Sequence, residues 1–190
     1  MRANSTHSHA DRGLDPYFSS PAAIYSLIGL EPDMPQLIHE PACGDGALAA
    51  PLVLDAGKDV IASDIKNYGY PGTIVQDYLT APAVAGVQGI VTNPPYKHTK
   101  KFVSKACAEA PYVAMLLPLS FLEGVNRKPW FEANRPARVW VSSRRLPMMH
   151  RYGWTGPKAP SNKCHAWFVW EIGDESAQIR WYDWKLFSQK

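Results

Sequence analysis

The sequence lacks any apolar run long enough to cross a membrane. Its apolar stretches, such as Val113 to Leu117, are interrupted well before the ~20 residues that a spanning helix requires. Met1 to Gly13 is polar and rich in His and Ser, so the apolar core of a secretory signal is lacking as well. We therefore expect a cytoplasmic protein, and a length of 190 residues, 46% of them hydrophobic, suits one globular domain.

Paired cysteines are lacking too. Cys43, Cys107 and Cys164 are an odd number at wide spacing, which is unlike a disulfide framework or a structural zinc site. His150 and His165 lie near Cys164, but no fourth ligand at a recognisable spacing accompanies them. We expect reduced thiols and no bound metal.

Acidic residues are missing from one long segment of the chain. Residues 135–170 contain seven Lys or Arg and no Asp or Glu, whereas residues 1–134 contain 10 Lys or Arg against 13 Asp or Glu. The net charge of +3 is therefore a local excess on an otherwise mildly acidic chain. Such an excess favours a polyanionic partner, although a solvated basic loop has the same composition.

The chain does contain an alternation of strand-like and helical segments. Helices are predicted after Ser20, which would cap the first of them, over 47–56 and over 99–110. Strands are predicted at 36–40, 59–64, 72–77, 89–92, 112–117, 137–141 and 166–170, with an edge strand at 179–184. This order predicts an α/β sandwich with helices on both faces of a mostly parallel sheet.

The predicted strands end in residues that suit a ligand, and open α/β sheets bind ligands at the carboxyl ends of their strands. Gly44 and Gly46 follow the first strand, permit close backbone approach and open a helix whose N-terminus favours a carboxylate. Asp64 ends the second strand, where such folds place an acceptor for ribose hydroxyls, and Asp77 could accept from an adenine amino group. Taken alone, the two glycines are equally typical of a tight turn.

Asn93-Pro94-Pro95-Tyr96 breaks the fourth strand and suits chemistry at an exocyclic amine. Such an amine is a poor nucleophile because its lone pair is delocalised into the ring. The side-chain carbonyl of Asn93 and the backbone carbonyl of Pro94 offer two acceptors for its two protons, and Tyr96 offers a face for a planar substrate. A turn that merely ends the strand is the alternative.

Two segments, Glu40-Pro41-Ala42-Cys43-Gly44-Asp45-Gly46 and Asn93-Pro94-Pro95-Tyr96, resemble the motifs of class I amino-methyltransferases. Within that superfamily they are similar to DNA adenine-N6 methyltransferases whose cofactor motifs precede the catalytic motif. The resemblance covers roughly residues 16–170. It implies a Rossmann-like, mostly parallel seven-stranded sheet, S-adenosyl-L-methionine as the cofactor, S-adenosyl-L-homocysteine as its product, and adenine N6 in DNA as the acceptor.

The same resemblance assigns residues to the cofactor and to catalysis. Pro16 to Pro21 would close over the methionine part of the cofactor, and Asp64 with Ile65 would hold ribose and adenine. The cofactor residues that it implies are Tyr17, Ser20, Pro21, Glu40, Pro41, Ala42, Cys43, Gly44, Asp64, Ile65, Asp77, Tyr78 and Asn93. The catalytic residues that it implies are Asn93, Pro94, Pro95 and Tyr96. Ordinary packing is the alternative for Ile65 and Tyr78.

A methyltransferase that acts on duplex nucleic acid must extrude the target base, so positive charge is expected around the pocket. Basic residues follow the predicted catalytic loop and fill the long loop before Ala166. In the resembled enzymes a loop between the last two strands carries an aromatic side chain that sandwiches the extruded base, and the resemblance implies this role for Tyr152 or Trp154. The predicted nucleic-acid contacts are Lys97, Lys100, Lys101, Arg144, Arg145, Arg151, Tyr152, Trp154, Lys158 and Lys163. Either aromatic ring could instead pack its loop onto the domain.

The predicted organisation is a disordered tail at 1–15 and one methyltransferase domain at 16–190. The resembled DNA enzymes commonly carry a separate target-recognition domain, and no such domain is predicted here. Several acceptors therefore stay open: adenine N6 in RNA, cytosine N4, or the side-chain amide of a protein glutamine. A non-catalytic nucleic-acid-binding module that keeps the cofactor fold is the alternative from another class.

Overall fold

The computed structural model describes residues 19–147 and 163–187. The tail predicted at 1–15 lies outside these residues. So do five of the predicted site residues, Tyr17, Arg151, Tyr152, Trp154 and Lys158.

Eight strands and four α-helices make up the described part of the chain. The helices are α1 (Pro21–Leu30), α2 (Ala49–Leu54), α3 (Thr99–Glu109) and α4 (Lys128–Ala133). The strands are β1 (Leu37–Glu40), β2 (Asp59–Asp64), β3 (Ile74–Val75), β4 (Gly89–Thr92), β5 (Tyr112–Pro118), β6 (Arg138–Ser142), β7 (His165–Glu171) and β8 (Gln178–Tyr182). None of the helices in these residues is long and apolar enough to cross a membrane.

The strands form a single sheet in the order β3-β2-β1-β4-β5-β7-β6-β8. Neighbouring strands pair in parallel except at β7, which runs antiparallel to both β5 and β6. The predicted mostly parallel α/β sheet is confirmed, with one detail wrong. It has eight strands instead of seven, because the predicted edge strand pairs with β6 as β8.

The point where the strand order reverses lies between β1 and β4. From β1 the chain builds the sheet outward through β2 and β3, and it then returns to place β4 on the other side of β1. Their register pairs Ile38 with Gly89 and His39 with Ile90. A crevice forms between the loops at such a reversal, and this is where doubly wound sheets bind ligands.

Strand β5 shows how the sheet is covered on both faces. All seven of its residues are buried, as the apolar run in the sequence predicts. Alternate side chains enter two different clusters: Ala114 and Leu116 pack with α1, whereas Val113 and Met115 pack with α3. The two layers of helix that the sequence predicts are therefore both present.

Each face of the sheet is closed by large side chains. On the α1 face, Trp167 is fully buried and its indole N–H donates to the carbonyl of Ala23 at 2.9 Å, which ties α1 to β7. On the α3 face, Phe102, Val103 and Ala106 are buried, as their helical spacing predicts. Phe121 extends that cluster and packs edge-on against Trp130, Phe131 and Phe168.

Two local predictions were wrong in extent, and one helix was not predicted. Helix α2 begins at Ala49 instead of 47, because Pro51 has no amide to donate to the carbonyl of Ala47. Strand β3 has two residues, both exposed at the edge of the sheet, where few contacts extend it. Helix α4, which the sequence analysis did not predict, starts with Lys128-Pro129, a pair that suits a first turn.

Candidate active site

The turn after β1 is built by backbone hydrogen bonds that depend on two glycines. The amide of Cys43 donates to the carbonyl of Ser63 at 3.0 Å, and the amide of Gly46 donates to the carbonyl of Cys43 at 2.8 Å. Gly44 has φ +54° and Gly46 has φ +85°, a region that disfavours a Cβ. The turn therefore lies beside the end of β2, at the crevice between β1 and β4.

Tyr70 lies directly over this turn, and the sequence analysis did not single it out. A Cβ added at Gly46 would meet the ring of Tyr70 at 1.9 Å, so the ring and the glycine are in close contact. Tyr70 also packs against the small cluster of Cys43, Ala49 and Ala62. The segment between β2 and β3 contains Gly69-Tyr70-Pro71-Gly72. Its glycines and proline indicate a tightly turning loop, which is the sequence feature that could have predicted this contact.

Asp64 links the ends of β1 and β2 at the predicted ribose position. Its Oδ2 accepts from the backbone amide of Gly44 at 2.9 Å, and its Oδ1 has a longer contact of 3.4 Å with the amide of Lys66. The side chain is buried, and this burial raises its pKa, while the amides of Gly44, Lys66 and Ile65 act in the opposite direction. One oxygen therefore holds the glycine turn, and the other is the better placed to accept from a ligand.

Glu40 is the most deeply buried acid of the site. It ends β1, is 1% exposed, and its Oε2 has no hydrogen-bond partner in the described residues. Burial raises its pKa well above the usual range, and the nearby charges of Asp64 and Asp45 raise it further. A buried carboxylate beside two other acids is stabilised by a cationic ligand.

Five further residues of the predicted cofactor set lie in or beside the same region. Ser20 is buried and occupies the predicted N-cap position of α1, where its carbonyl accepts from the amide of Ala23 at 2.9 Å, but its side chain makes no capping hydrogen bond. Pro41 is buried and Ala42 half-buried in the turn after β1. Cys43 is buried, which raises the pKa of its thiol to about 11, so the thiol stays protonated at neutral pH. Pro21 is exposed in the first turn of α1.

Three residues predicted at the adenine have very different surroundings. Ile65 follows Asp64 and is 53% exposed, so it presents an apolar surface near the end of β2. Asp77 is exposed beyond β3, and its Oδ1 accepts from the amide of Leu79 at 2.9 Å. Tyr78 is buried against Phe102, and its hydroxyl donates to Glu109 of α3 at 2.9 Å. Its ring is part of the core, and any contact with adenine stays a prediction.

The Asn-Pro-Pro-Tyr loop starts immediately beyond Thr92, the last residue of β4. Asn93 is half-buried, Pro94 is buried and Pro95 is exposed, and a 3₁₀ helix over Tyr96–His98 leads into α3. The amide of His98 donates to the carbonyl of Pro95 at 2.8 Å, and the hydroxyl of Thr99 donates to the carbonyl of Tyr96 at 3.1 Å. The loop is therefore a defined turn at the crevice, directly beside the turn that follows β1.

His165 contacts the end of this loop and was considered in the sequence only as a metal ligand. Its Nε2 lies 2.8 Å from the hydroxyl oxygen of Tyr96, and their ring centroids are 5.9 Å apart. His165 is 4% exposed, and burial lowers its pKa to about 4. The pair is 69 residues apart in the sequence, and no spacing pattern predicts it.

The predicted nucleic-acid contacts in the described residues lie on the carboxyl edge of the sheet. Lys97, Lys100 and Lys101 are exposed around the start of α3, next to the Asn-Pro-Pro-Tyr loop. The ammonium of Lys163 lies over the ring of Tyr96, 5.7 Å from its centroid. The end of the long basic loop therefore returns to the Asn-Pro-Pro-Tyr segment.

Arg144 and Arg145 follow β6 on the same edge but farther from the crevice, with β5 and β7 between β4 and β6. The guanidinium of Arg144 donates to Asp183 at 2.5 Å, so its charge is already paired. The carbonyl of Arg145 accepts from the indole of Trp184 at 3.0 Å, and the side chain is exposed. Within 19–147 and 163–187, no group of three His, Cys, Asp or Glu side chains could hold a metal ion.

A scan of protein families and a search of curated proteins each give no match. Solved structures do match. The chain is similar to the type I restriction-modification system methyltransferase subunit from Streptococcus thermophilus, with a TM-score of 0.58, 12% identity, and coverage of 89% of this chain and 47% of that one. It is also similar to the 23S rRNA methyltransferase ErmE, with a TM-score of 0.51, 18% identity, and coverage of 84% and 71%.

A third match is the SAM-dependent O-methyltransferase from Thermotoga maritima, with a TM-score of 0.50, 16% identity, and coverage of 78% of this chain and 64% of that one. The chain spans about half the length of the type I subunit, 47% of it. At these identities the likeness shows the fold, and the predicted resemblance is confirmed at that level.

Proposed function

We propose that this chain, which has the fold of S-adenosylmethionine-dependent methyltransferases, transfers a methyl group to the exocyclic N6 of adenine in DNA. One observation carries the proposal. The Asn93–Tyr96 loop and the glycine turn after β1 follow adjacent strands, at the point where the strand order reverses. The predicted catalytic and cofactor segments, which are far apart in the sequence, therefore share one crevice.

The acids around the glycine turn support S-adenosylmethionine as the ligand. This cofactor carries positive charge on its sulfonium and its amino group, and the pKa values of Glu40, Asp45 and Asp64 are all raised by burial. Glu40 would accept from the amino group through its buried Oε2, and Asp64 would accept from a ribose hydroxyl through Oδ1. The raised pKa favours the protonated acids, and a cationic ligand would stabilise their ionised forms, whereas a neutral or anionic ligand would not.

The Asn-Pro-Pro-Tyr loop would activate the amine by accepting hydrogen bonds from its two N–H groups. When bound, the cofactor supplies an electrophilic methyl group on a sulfonium. The side-chain carbonyl of Asn93 and the backbone carbonyl of Pro94 would accept hydrogen bonds from the two amine N–H groups and localise the lone pair on nitrogen. The methylated nitrogen would then release one proton to water. The ring of Tyr96 would hold the base by stacking, so that the nitrogen is in line with the methyl group.

The exposed lysines beside the loop support a nucleic-acid acceptor. Lys97, Lys100 and Lys101 surround the start of α3, where the phosphates next to an extruded base would lie. A protein glutamine would need no such charge. RNA is the second candidate acceptor, because the chain resembles in fold a protein named as a 23S rRNA methyltransferase.

The direct test is transfer of a labelled methyl group to duplex DNA, single-stranded DNA, structured RNA and protein extract. The products are digested and identified by mass spectrometry. We expect N6-methyladenine in the DNA pools. N6-methyladenine only in RNA would move the proposal to the second candidate, and label only in protein glutamine would contradict both.

The active-site assignment has its own test in Asn93→Ala. We expect this change to lower transfer at least about a hundredfold, because one of the two acceptors for the amine protons is lost. Cofactor affinity, measured by calorimetry, should change little. Asn126→Ala is the matched control, since Asn126 is exposed in a 3₁₀ turn after β5. Near-full turnover in Asn93→Ala would show that the active site is elsewhere.

A further inference from the structure

Tyr96 is held at two points by residues outside the four-residue motif. Its carbonyl accepts from the hydroxyl of Thr99 at 3.1 Å, and its own hydroxyl lies 2.8 Å from Nε2 of His165. The first contact sets the backbone of the loop. The second contact fixes the position of the hydroxyl end of the ring. The side chain of Tyr96 is half-buried and packs against the α1 face.

The reversed direction of β7 brings His165 to this position. In the register of the β5–β7 pair, His165 is opposite Pro118, the last residue of β5. Because β7 is antiparallel, its first residue lies at the carboxyl edge of the parallel strands, where the catalytic loop also lies. His165 is 4% exposed, so packing restrains the imidazole in this position.

The imidazole is neutral at physiological pH. Burial lowers the pKa of His165 to about 4, and the charge of Lys163 acts in the same direction, while the backbone of Lys163 opposes them. A neutral imidazole has one nitrogen that accepts. In the tautomer that carries its proton on Nδ1, Nε2 accepts from the phenol of Tyr96, and this is the tautomer that the role of His165 requires.

We propose that His165 is a positioning residue for Tyr96: by accepting the hydrogen bond of the phenol, it fixes the plane on which the acceptor ring stacks. The role rests on the proposed function, because it assumes a planar acceptor at Tyr96. The bond prevents the ring from turning about its side-chain torsions. It also places electron density on the ring, which strengthens the attraction of the ring face for positive charge such as the Lys163 ammonium 5.7 Å from its centroid.

A double-mutant cycle tests this role in the full chain. We expect His165→Leu and Tyr96→Phe each to lower kcat by about tenfold to a hundredfold through misplacement of the acceptor, with the KM for cofactor nearly unchanged. The double variant should lose no more than either single variant, because both changes remove the same bond. His165→Gln should recover much of the rate, since its amide can accept at the same place.

A His165→Leu loss that persists undiminished in the Tyr96→Phe background would overturn the proposal. It would show that His165 acts independently of the phenol. A matched fall in cofactor affinity for His165→Leu would do the same, because it would indicate a general disturbance of the crevice. Thermal unfolding of each variant separates this result from loss of the fold.

A measurement without turnover keeps this proposal distinct from the proposed function. In protein labelled with ¹³C at tyrosine Cζ, the Tyr96 resonance is identified by its loss in Tyr96→Phe. We expect His165→Leu to shift that resonance and His165→Gln to shift it less. An unchanged resonance overturns the hydrogen bond, whether or not methyl transfer to nucleic acid is found. Absence of methyl transfer together with the expected shift of the resonance would overturn the proposed function but not the hydrogen bond.

Discussion

At the scale of single residues, Gly46 has the least freedom to change at the candidate site. It combines φ +85° with a position where a Cβ would meet the Tyr70 ring at 1.9 Å. We expect Gly46→Ala to lower the free energy of unfolding by about 2–4 kcal/mol, from backbone strain plus the clash, and to weaken cofactor binding. Urea unfolding and calorimetry measure the two effects.

Gly57→Ala is the matched control for this change. Gly57 also has a positive φ, +63°, but nothing lies within 4 Å of a Cβ built there. Backbone strain alone should cost about 1 kcal/mol, with no effect on cofactor affinity. Equal losses of stability in the two variants would mean that the Tyr70 contact adds nothing.

Asp64 has two roles that a single change can separate. In Asp64→Asn the amide oxygen can still accept from Gly44, but the second carboxylate oxygen is replaced by a donor. We expect the cofactor Kd to rise about tenfold to a hundredfold, because a charged acceptor is lost. Thermal stability should change little.

The matched control for Asp64 lies at the other end of the same strand. Asp59 begins β2, is exposed and accepts from the side chain of Gln36 at 3.3 Å. Asp59→Asn should leave the Kd unchanged. A rise in Kd for Asp59→Asn comparable to that for Asp64→Asn would contradict a specific role of the carboxyl end of β2.

At the scale of elements, His39 joins β1 to β2 inside the sheet. Its Nε2 lies 2.8 Å from the hydroxyl of Ser63, and the side chain is buried, which lowers its pKa to about 4. As the pH falls below the ordinary value of 6.5, the imidazole of His39 therefore becomes protonated in the unfolded chain before it does so in the folded protein. The contribution of His39 to stability is complete above pH 6.5 and is lost as the pH falls towards 4.

We expect this loss to be smaller in His39→Gln, by up to about 3 kcal/mol near the lower end of the window. Gln is uncharged throughout and can still bond to Ser63. Urea unfolding of both proteins across the window gives the difference. Other groups, such as His165 and Glu40, titrate in both proteins and cancel in the comparison. Parallel pH curves for the two proteins would contradict the prediction.

The elements also show where periodicity predicts structure well. Strand β5 is continuous and apolar, and α3 has one apolar face, and both were predicted to within a residue or two. The predicted limits of α2 and β3 were wrong. The missing N–H of Pro51 decided where α2 begins, and the exposed edge position of β3 limited its length. These are single local contacts that a pattern over several residues does not report.

At the scale of the whole molecule, the predicted nucleic-acid contacts in 19–147 and 163–187 lie on the carboxyl edge of the sheet. We expect replacement of Lys97, Lys100 and Lys101 by Gln to weaken duplex DNA binding and to flatten its dependence on salt. Each lost phosphate contact should reduce the slope of log K against log salt by about 0.9. Fluorescence anisotropy at several salt concentrations measures the slope.

The control for charge alone is Arg135→Gln. Arg135 is exposed and precedes β6, so it lies at the opposite edge of the sheet from the Asn-Pro-Pro-Tyr loop. Arg135→Gln should leave the slope of log K against log salt unchanged. An unchanged slope in the lysine variant would remove the start of α3 from the DNA interface.

The sequence by itself determined the class of fold, the order of its strands along the chain and the two segments that make up the crevice. These follow from the period of apolar residues and from glycine and proline, whose effects on the backbone are local. Residues near the strand ends, such as Glu40, Asp64 and Asn93, could therefore be placed from the sequence. Their roles with a ligand stay predictions.

Tertiary structure alone decided the contacts between distant segments. The ring of Tyr70 over Gly46, the hydroxyl of Tyr78 on Glu109 and the phenol of Tyr96 on His165 each join residues that no common period relates. Such contacts depend on strand register, on the reversed direction of β7 and on which side chains are left facing one another once the sheet is covered. These are properties of the packed molecule, because each is set by several elements together.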